Sequence, residues 1–340
     1  RGAHDGFDGI YNEHDLDLKS GTDDTHRFVL VGYGQERPII DAQNQDTYVI
    51  RTSSVVVYAT IQRLKLQNSG RTCYRTDGND QYLNTIDVWL YNCANIAGND
   101  GNLYHLSSDN NWLFHVMSQH TLGHCFKIGD DARNSTVEWS IAKECGYWEP
   151  DFPYSAYYGN HAAGLDFANG YPDDSDGDGA VDRGWNIIAR YNIVQTTLYH
   201  GVQLRRTPNF SFHHNEISGA MKMFSLDPND NHAESGNPQV SITEYDTYGN
   251  FYSNIVRDPG GNSSVNIKVS TYNNNWESVN FYNNLIYGGA IAGFYIYPST
   301  LSKNTTINFY SNSVYGNNSG PLINIDIVNV PYNVDIKNNI

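Results

Sequence analysis

The sequence predicts an all-β chain wound as a right-handed parallel β-helix, and three observations carry that prediction. Apolar and polar residues alternate over short runs, the pattern of half-buried strands and not of helices. The runs recur at separations mostly in the twenties. Many of them close on an Asn at the same place, and Asn tolerates the left-handed backbone of a tight bend.

In the C-terminal half the phrase is Phe212-His-His-Asn215-Glu-Ile217, then Phe251-Tyr-Ser-Asn254-Ile-Val256, Phe281-Tyr-Asn-Asn284-Leu-Ile286 and Phe309-Tyr-Ser-Asn312-Ser-Val314. Ile336-Lys-Asn-Asn339 is a degenerate last copy. Upstream, a looser version runs through Leu64-x-Leu66-x-Asn68, Val88-x-Leu90-x-Asn92, Val116-x-Ser118 and Ile141-x-Lys143. A strand that buries one face against the next copy, coil upon coil, is a solenoid, and stacked Asn side chains bond along it. A propeller blade needs about forty residues, which the shorter upstream period rejects. The whole of 1–340 reads as a single β-helix domain with a Pro-, Tyr- and Asp-rich loop insertion at about 146–184; its one strand-like piece is Gly164-Leu-Asp-Phe167.

Composition narrows the function classes. Charged residues make up only 17% of the 340, too few for a coiled coil, and 26 Tyr argue against disorder. No stretch approaches the roughly 18 apolar residues of a membrane span. A net charge of −16 excludes a nucleic-acid partner by general attraction. Cys73, Cys93, Cys125 and Cys145 form no C-x-x-C pair, which argues against zinc and leaves disulfides and buried thiols both open. Abundant Tyr, Asn and Gly with few Lys suit a secreted or cell-surface β protein, expected to act as a monomer.

A second strand in each coil supplies candidate chemistry. Tyr104-His-Leu106, Phe126-Lys-Ile128, Leu165-Asp-Phe167, Val202-Gln-Leu204, Met221-Lys-Met223, Ile267-Lys-Val269, Phe294-Tyr-Ile296 and Ile323-Asn-Ile325 each set one central residue between two apolar ones. The apolar residues point inward, so the central ones form an outward ladder: His105, Lys127, Asp166, Gln203, Lys222, Lys268, Tyr295, Asn324. Arg205 also points outward, two positions beyond Gln203, and Arg206 follows it. Lys127, Asp166, Gln203, Arg205 and Lys222 would fall within a stripe of about 15–20 Å beside the long insertion. Polar residues are ordinary on a solvated sheet face; cations gathered round a carboxylate in an acidic chain are not. His200, just ahead of this stripe, is the best-placed histidine. As individuals, it and its neighbours His124, His161, His213 and His214 read first as surface or turn residues.

Other strings point to ligands. Asp174-Ser-Asp176-Gly-Asp178-Gly-Ala-Val-Asp182 sets carboxylates at alternate positions around a turn-forming Gly, a pattern that wraps a hard cation, and calcium is the expected metal. The bidentate Glu that ends a full loop of this kind is absent; position 185 is Trp. Asp130 and Asp131 offer a carboxylate pair at the groove edge, the requirement for glycoside hydrolysis. Trp148 and Tyr157 in the insertion are rings that suit the faces of sugars.

The opening, Gly9-Ile-Tyr-Asn-Glu13, then Leu18-Lys-Ser-Gly-Thr22 and Val29-Leu-Val-Gly32, together with the repeats, resembles the secreted pectate-lyase-like β-helix proteins. That superfamily holds polysaccharide lyases, glycoside hydrolases, epimerases, phage tailspikes and adhesins, so the resemblance does not name one activity. For the lyases it implies a Lys base, an Arg near the uronate carboxylate and calcium, parts that Lys127 or Lys222, Arg205 and the Asp-rich loop would fill. The leading expectation is a calcium-containing lyase cleaving an anionic polysaccharide by β-elimination. A hydrolase using Asp130 and Asp131 or Asp166 is the second, and a glycan-binding adhesin contacting its ligand through Tyr282, Tyr295, Tyr297 and Tyr310 the third.

Overall fold

A computed structural model describes residues 10–33, 37–76, 79–94, 101–106, 108–129, 132–146, 163–168, 186–197, 200–205, 207–219, 240–243, 248–257, 265–271, 278–289, 292–298, 305–316, 321–325 and 332–340. Every regular element among them is a β-strand. The strands form three parallel sheets of 11 strands each, and each sheet takes every third strand of the chain. One coil therefore contributes one strand to each sheet in turn, which makes the architecture a parallel β-helix. The fifth coil, for example, runs Met117–Thr121 in the first sheet, His124–Gly129 in the second and Thr136–Glu138 in the third. The sixth runs Ile141–Cys145, Ala163–Ala168 and Ile188–Arg190, so the strand predicted inside the insertion is the second strand of its coil.

Side chains that alternate inward fill the core. Phe212, Phe251, Phe281 and Phe309, the first residues of the repeated phrase, are all at most 1% exposed, and the Phe212 and Phe251 rings stack at 5.2 Å. The Asn of that phrase turns the chain from the third sheet into the first. Asn192, Asn215, Asn254, Asn284 and Asn312 each donate Nδ2 to the Oδ1 of the next, ending on Asn339, at 2.8–3.1 Å. Each of these Oδ1 atoms also accepts the backbone N–H of the preceding member, as in Asn254 N to Asn284 Oδ1 at 3.0 Å. The ladder thus satisfies a buried corner that would otherwise orphan backbone donors in every coil. Just before it, a single residue in left-handed conformation makes the bend, from Arg63, Asp87 and His115 to Trp139, Tyr191 and His214.

The cysteines are paired, Cys73 with Cys93 and Cys125 with Cys145. Each bond ties the start of a second-sheet strand, with Cys73 just ahead of Tyr74–Thr76 and Cys125 within His124–Gly129, to the end of the first-sheet strand of the next coil. Between the two bonds, Asn102 takes the corner alone: it accepts from Cys93 N at 3.0 Å and donates to Ser118 Oγ and Gln119 O. One expected register slips. Met117, not Val116, aligns with Ile141, so Val116 stands opposite Ser140 and both are buried.

Candidate functional site on the second sheet

The outward ladder of the second sheet is present, with two corrections to its membership. Tyr104 pairs with Lys127, Lys127 with Asp166, Asp166 with Gln203, Gln203 with Ser241, Ser241 with Lys268 and Lys268 with Tyr295. His105 is therefore not on it. Its partner is Ile128, and it lies in the core at 0% exposure, with Nδ1 3.1 Å from Thr76 Oγ1 and its ring edge-on to Tyr74. The strand is Leu103-Tyr-His105, one residue earlier than the apolar pattern suggested, because a buried His can stand in for an apolar residue once one nitrogen is bonded. Burial holds its pKa far down, at about 3.

Lys222 loses its expected place too. The rung beside Gln203 belongs to Ser241, in the strand Val240–Thr243, and Lys222 itself lies outside the described residues. So do Asp130, Asp131, Trp148, Tyr157, Arg206 and the four aspartates Asp174, Asp176, Asp178 and Asp182. Arg205 keeps its strand position, between Ala168 and Thr243 in register. Among the described residues no cluster of three or more His, Cys, Asp or Glu forms a metal cage.

Lys127, Asp166 and Gln203 are brought together as predicted, on three successive coils and between inward pairs that include Phe126, Ile128, Leu165, Phe167, Val202 and Leu204. Neighbouring rungs lie about 4.8 Å apart. Lys127 is half-buried, Asp166 is 1% exposed and Gln203 5%. Gln203 Oε1 is buried with no hydrogen-bond partner among the described residues. An acceptor in that state calls for a donor.

His124 belongs to the same cluster, and the apolar pattern gave no sign of it. Its Nδ1 lies 3.3 Å from Asp166 Oδ2, an ion-pair distance without hydrogen-bond alignment, and its side chain is 8% exposed. The same Nδ1 accepts a hydrogen bond from the Ala163 backbone N–H at 3.1 Å. A neutral ring that accepts at Nδ1 carries its proton on Nε2. His124 stands three residues before Lys127, so that contact places this position on the same outer face as the rungs. The ninth and tenth coils repeat the arrangement, where Val265 and Ala292 cluster with Tyr295. His200 occupies the equivalent place one coil beyond Ala163, with which it pairs, and is 7% exposed. The small Ala163 side chain thus separates two imidazoles. On the other side of His124, Gly101 is obligatory, since a Cβ there would lie 2.2 Å from His124 O.

The surface tyrosines are arranged differently from the expected sugar platforms. His213, Tyr252, Tyr282 and Tyr310 stack face to face on the third sheet at 4.6–5.2 Å with interplanar angles of 3–14°. The inner rings Tyr252 and Tyr282 are covered on both faces by their neighbours, Tyr310 at the end of the stack is exposed, and Tyr295 is only 7% exposed.

No protein-family model matches the chain, and no curated protein matches its sequence. Solved structures do. The A-module of the mannuronan C-5 epimerase AlgE6 from Azotobacter vinelandii superposes with a TM-score of 0.60 at 11% identity, covering 97% of this chain and 90% of that one. The periplasmic alginate epimerase AlgG gives 0.51 at 12% identity over 92% of this chain and 76% of its own. The surface adhesin PfbA of Streptococcus pneumoniae gives 0.51 at 11% identity over 97% and 86%. At such identities the likeness is one of fold, and with the three continuous parallel sheets it makes this chain a right-handed parallel β-helix.

Proposed function

We propose that the protein is a secreted or surface-attached enzyme that acts on an anionic polysaccharide by removing the proton beside a uronate carboxyl group. The observation that carries this reading is the cluster of Lys127, Asp166 and His124 on the outer face of the second sheet, one buried carboxylate held between a lysine and a histidine. In β-elimination, Lys127 in its neutral form takes the proton from C5. The C–H electron pair becomes the C4–C5 double bond as the C4–O4 bond breaks, the leaving oxygen takes a proton from water in the groove, and Lys127 returns the proton it has gained to solvent. The Ala163 N–H fixes the tautomer of neutral His124, so that its Nε2–H can be donated as a hydrogen bond to the sugar beside the Asp166 carboxylate. The orphaned Oε1 of Gln203 accepts a sugar hydroxyl. Arg205 is assigned to the uronate carboxylate, where a cation stabilises the carbanion.

Hydrolysis is less well supported, because it needs two carboxylates and Asp166 is the only one on these rungs among the described residues from Tyr104 to Tyr295. Adhesion through the tyrosines is disfavoured by their mutual stacking. Two structural neighbours are named as a mannuronan C-5 epimerase and an alginate epimerase, and abstraction at C5 is the step that lyase and epimerase chemistry share. The two disulfides fit an oxidising compartment.

Absorbance of an unsaturated uronate over a panel of uronate polysaccharides, with proton NMR for inversion at C5, is the test. Turnover on one polymer, reduced at least about 100-fold in Lys127→Ala and Asp166→Asn with unchanged circular dichroism, supports the reading. New reducing ends without unsaturation or inversion overturn it in favour of hydrolysis. A parallel arm in EDTA asks whether the loop from Asp174 to Asp182 holds the calcium its pattern predicts.

A further inference from the structure

The ladder does not begin at the candidate site. Tyr104 pairs with Arg75 and Arg75 with Arg51, so two arginines extend it toward the N-terminal end. Both converge, with Arg71, on one ring: the guanidinium carbons of Arg51, Arg71 and Arg75 lie 5.1, 5.5 and 5.4 Å from the centroid of Tyr48. Arg71 and Arg75 each donate Nη1 to the Tyr48 hydroxyl at 3.2 Å. Tyr48 is buried, Arg51 is exposed and the other two are half-buried.

Three cations around one neutral phenol repel one another, and the ring's quadrupole offsets only part of that. Carboxylates near the ring include Asp46, which accepts from Arg71 Nε at 3.0 Å and is more than half exposed, Asp15, whose Oδ1 lies 3.5 Å from Tyr48 N and which also accepts from Thr47 Oγ1, and Asp17, which pairs with Arg51 in register and is bonded to Lys19. In a chain of net charge −16, such a concentration of guanidinium groups stands out from its surroundings. Arginine holds carboxylates through paired donors in a fixed plane, and packing on Tyr48 fixes those planes in advance.

Position supplies the second part of the argument. Arg75 and Arg51 are three and four rungs from Asp166, about 14 and 19 Å at roughly 4.8 Å per rung. An extended pyranose chain advances by about one rung per sugar. A polymer lying along the ladder with its reacting unit over Lys127 and Asp166 therefore carries an acidic group over Tyr48 about three to four units away.

We propose that Arg51, Arg71 and Arg75, held by Tyr48, form a distal subsite for a uronate carboxylate, so that the groove selects long anionic chains over short ones. This rests on the reading that the polymer binds along the second sheet. Uronate oligomers of about two and about eight units, and a neutral glucan oligomer of the longer length, are titrated by calorimetry against wild type, Arg51→Gln and Arg51→Gln/Arg75→Gln. The expected result is at least a tenfold loss of affinity for the long uronate in the double variant, a smaller loss in the single one, and no change for the short uronate. Equal loss on long and short uronates, equal loss on the neutral oligomer, or no loss at all overturns the subsite. Arg51 is exposed, so its single variant keeps the fold if the double one does not. Failure of the catalytic reading is a separate result: absent turnover with length-dependent binding leaves the subsite standing, whereas turnover lost in Lys127→Ala with unaltered long-chain binding in the arginine variants removes the subsite alone.

Discussion

His105 and Asp166 are both buried polar residues, yet their surroundings set different roles. His105 is sealed in the core, and its Nε2 has no hydrogen-bond partner among the described residues. Its folded pKa of about 3 lies below the unfolded value of about 6.5, so the neutral ring contributes stability that is complete above pH 6.5. That contribution is lost as pH falls from 6.5 toward 3, because the unfolded chain binds the proton first. His105→Phe should therefore lose less stability between pH 7 and pH 4 than wild type, read as the shift in denaturant midpoint. An equal acid loss in both would show that other groups govern it. Asp166, by contrast, sits on the outer face with His124 and Lys127, and Asp166→Asn is expected to act on turnover and not on folding.

At the scale of elements, the Asn ladder and the disulfides hold different parts of the coil together. Asn254 donates to Phe212 O and Asn284 Oδ1 and accepts from Asn215, all in buried surroundings. Asn254→Ala leaves several of these groups unsatisfied and should cost about 2–4 kcal/mol in chemical unfolding. Asn280 also stacks in a ladder, between Asn250 and Asn308, but on the half-exposed outer face of the third sheet. Asn280→Ala should cost less than about 1 kcal/mol, since water replaces the lost partners. Each disulfide spans 20 residues, and reduction of either should cost about 3 kcal/mol on loop-entropy grounds. A fall in melting temperature under reductant, reproduced by Cys125→Ser/Cys145→Ser, checks this; melting unaffected by reductant would mean that the thiols are free in solution.

For the whole molecule, a solenoid's stability is close to a sum over neighbouring coils. Damage should therefore stay local. Asn254→Ala is expected to speed amide hydrogen exchange in the flanking coils, around Phe212 and Phe281, while leaving the disulfide-tied coils around Leu90 and Ser118 at wild-type rates. Uniform acceleration across the chain would instead indicate one cooperative unit. The same linear build makes the second sheet a long track, on which the Tyr48 arginines and the Asp166 cluster are related by a fixed number of coil steps.

Much of this could be read from the residues in order. Alternation, the recurring Asn and the near-constant spacing determined a parallel β-helix, the Asn ladder itself and the rungs Lys127, Asp166 and Gln203, because each follows from local periodicity repeated along the chain. Register was readable only where both flanking residues were apolar. In Leu103-Tyr-His105 the buried residue is polar, and the tempting pattern Met221-Lys-Met223 drew attention away from Val240–Thr243, whose Ser241 takes the rung beside Gln203, so a slip of one residue or a mistaken strand went undetected. Arg51 and Arg75 sit between residues such as Tyr74 and Thr76, which do not announce a core strand. The contact of His124 with Asp166, the pairing of the cysteines and the convergence of three arginines on Tyr48 depend on which coil lies beside which. Insertions of unequal length between strands hide those adjacencies in the sequence, and only the stacking of the coils brings them together.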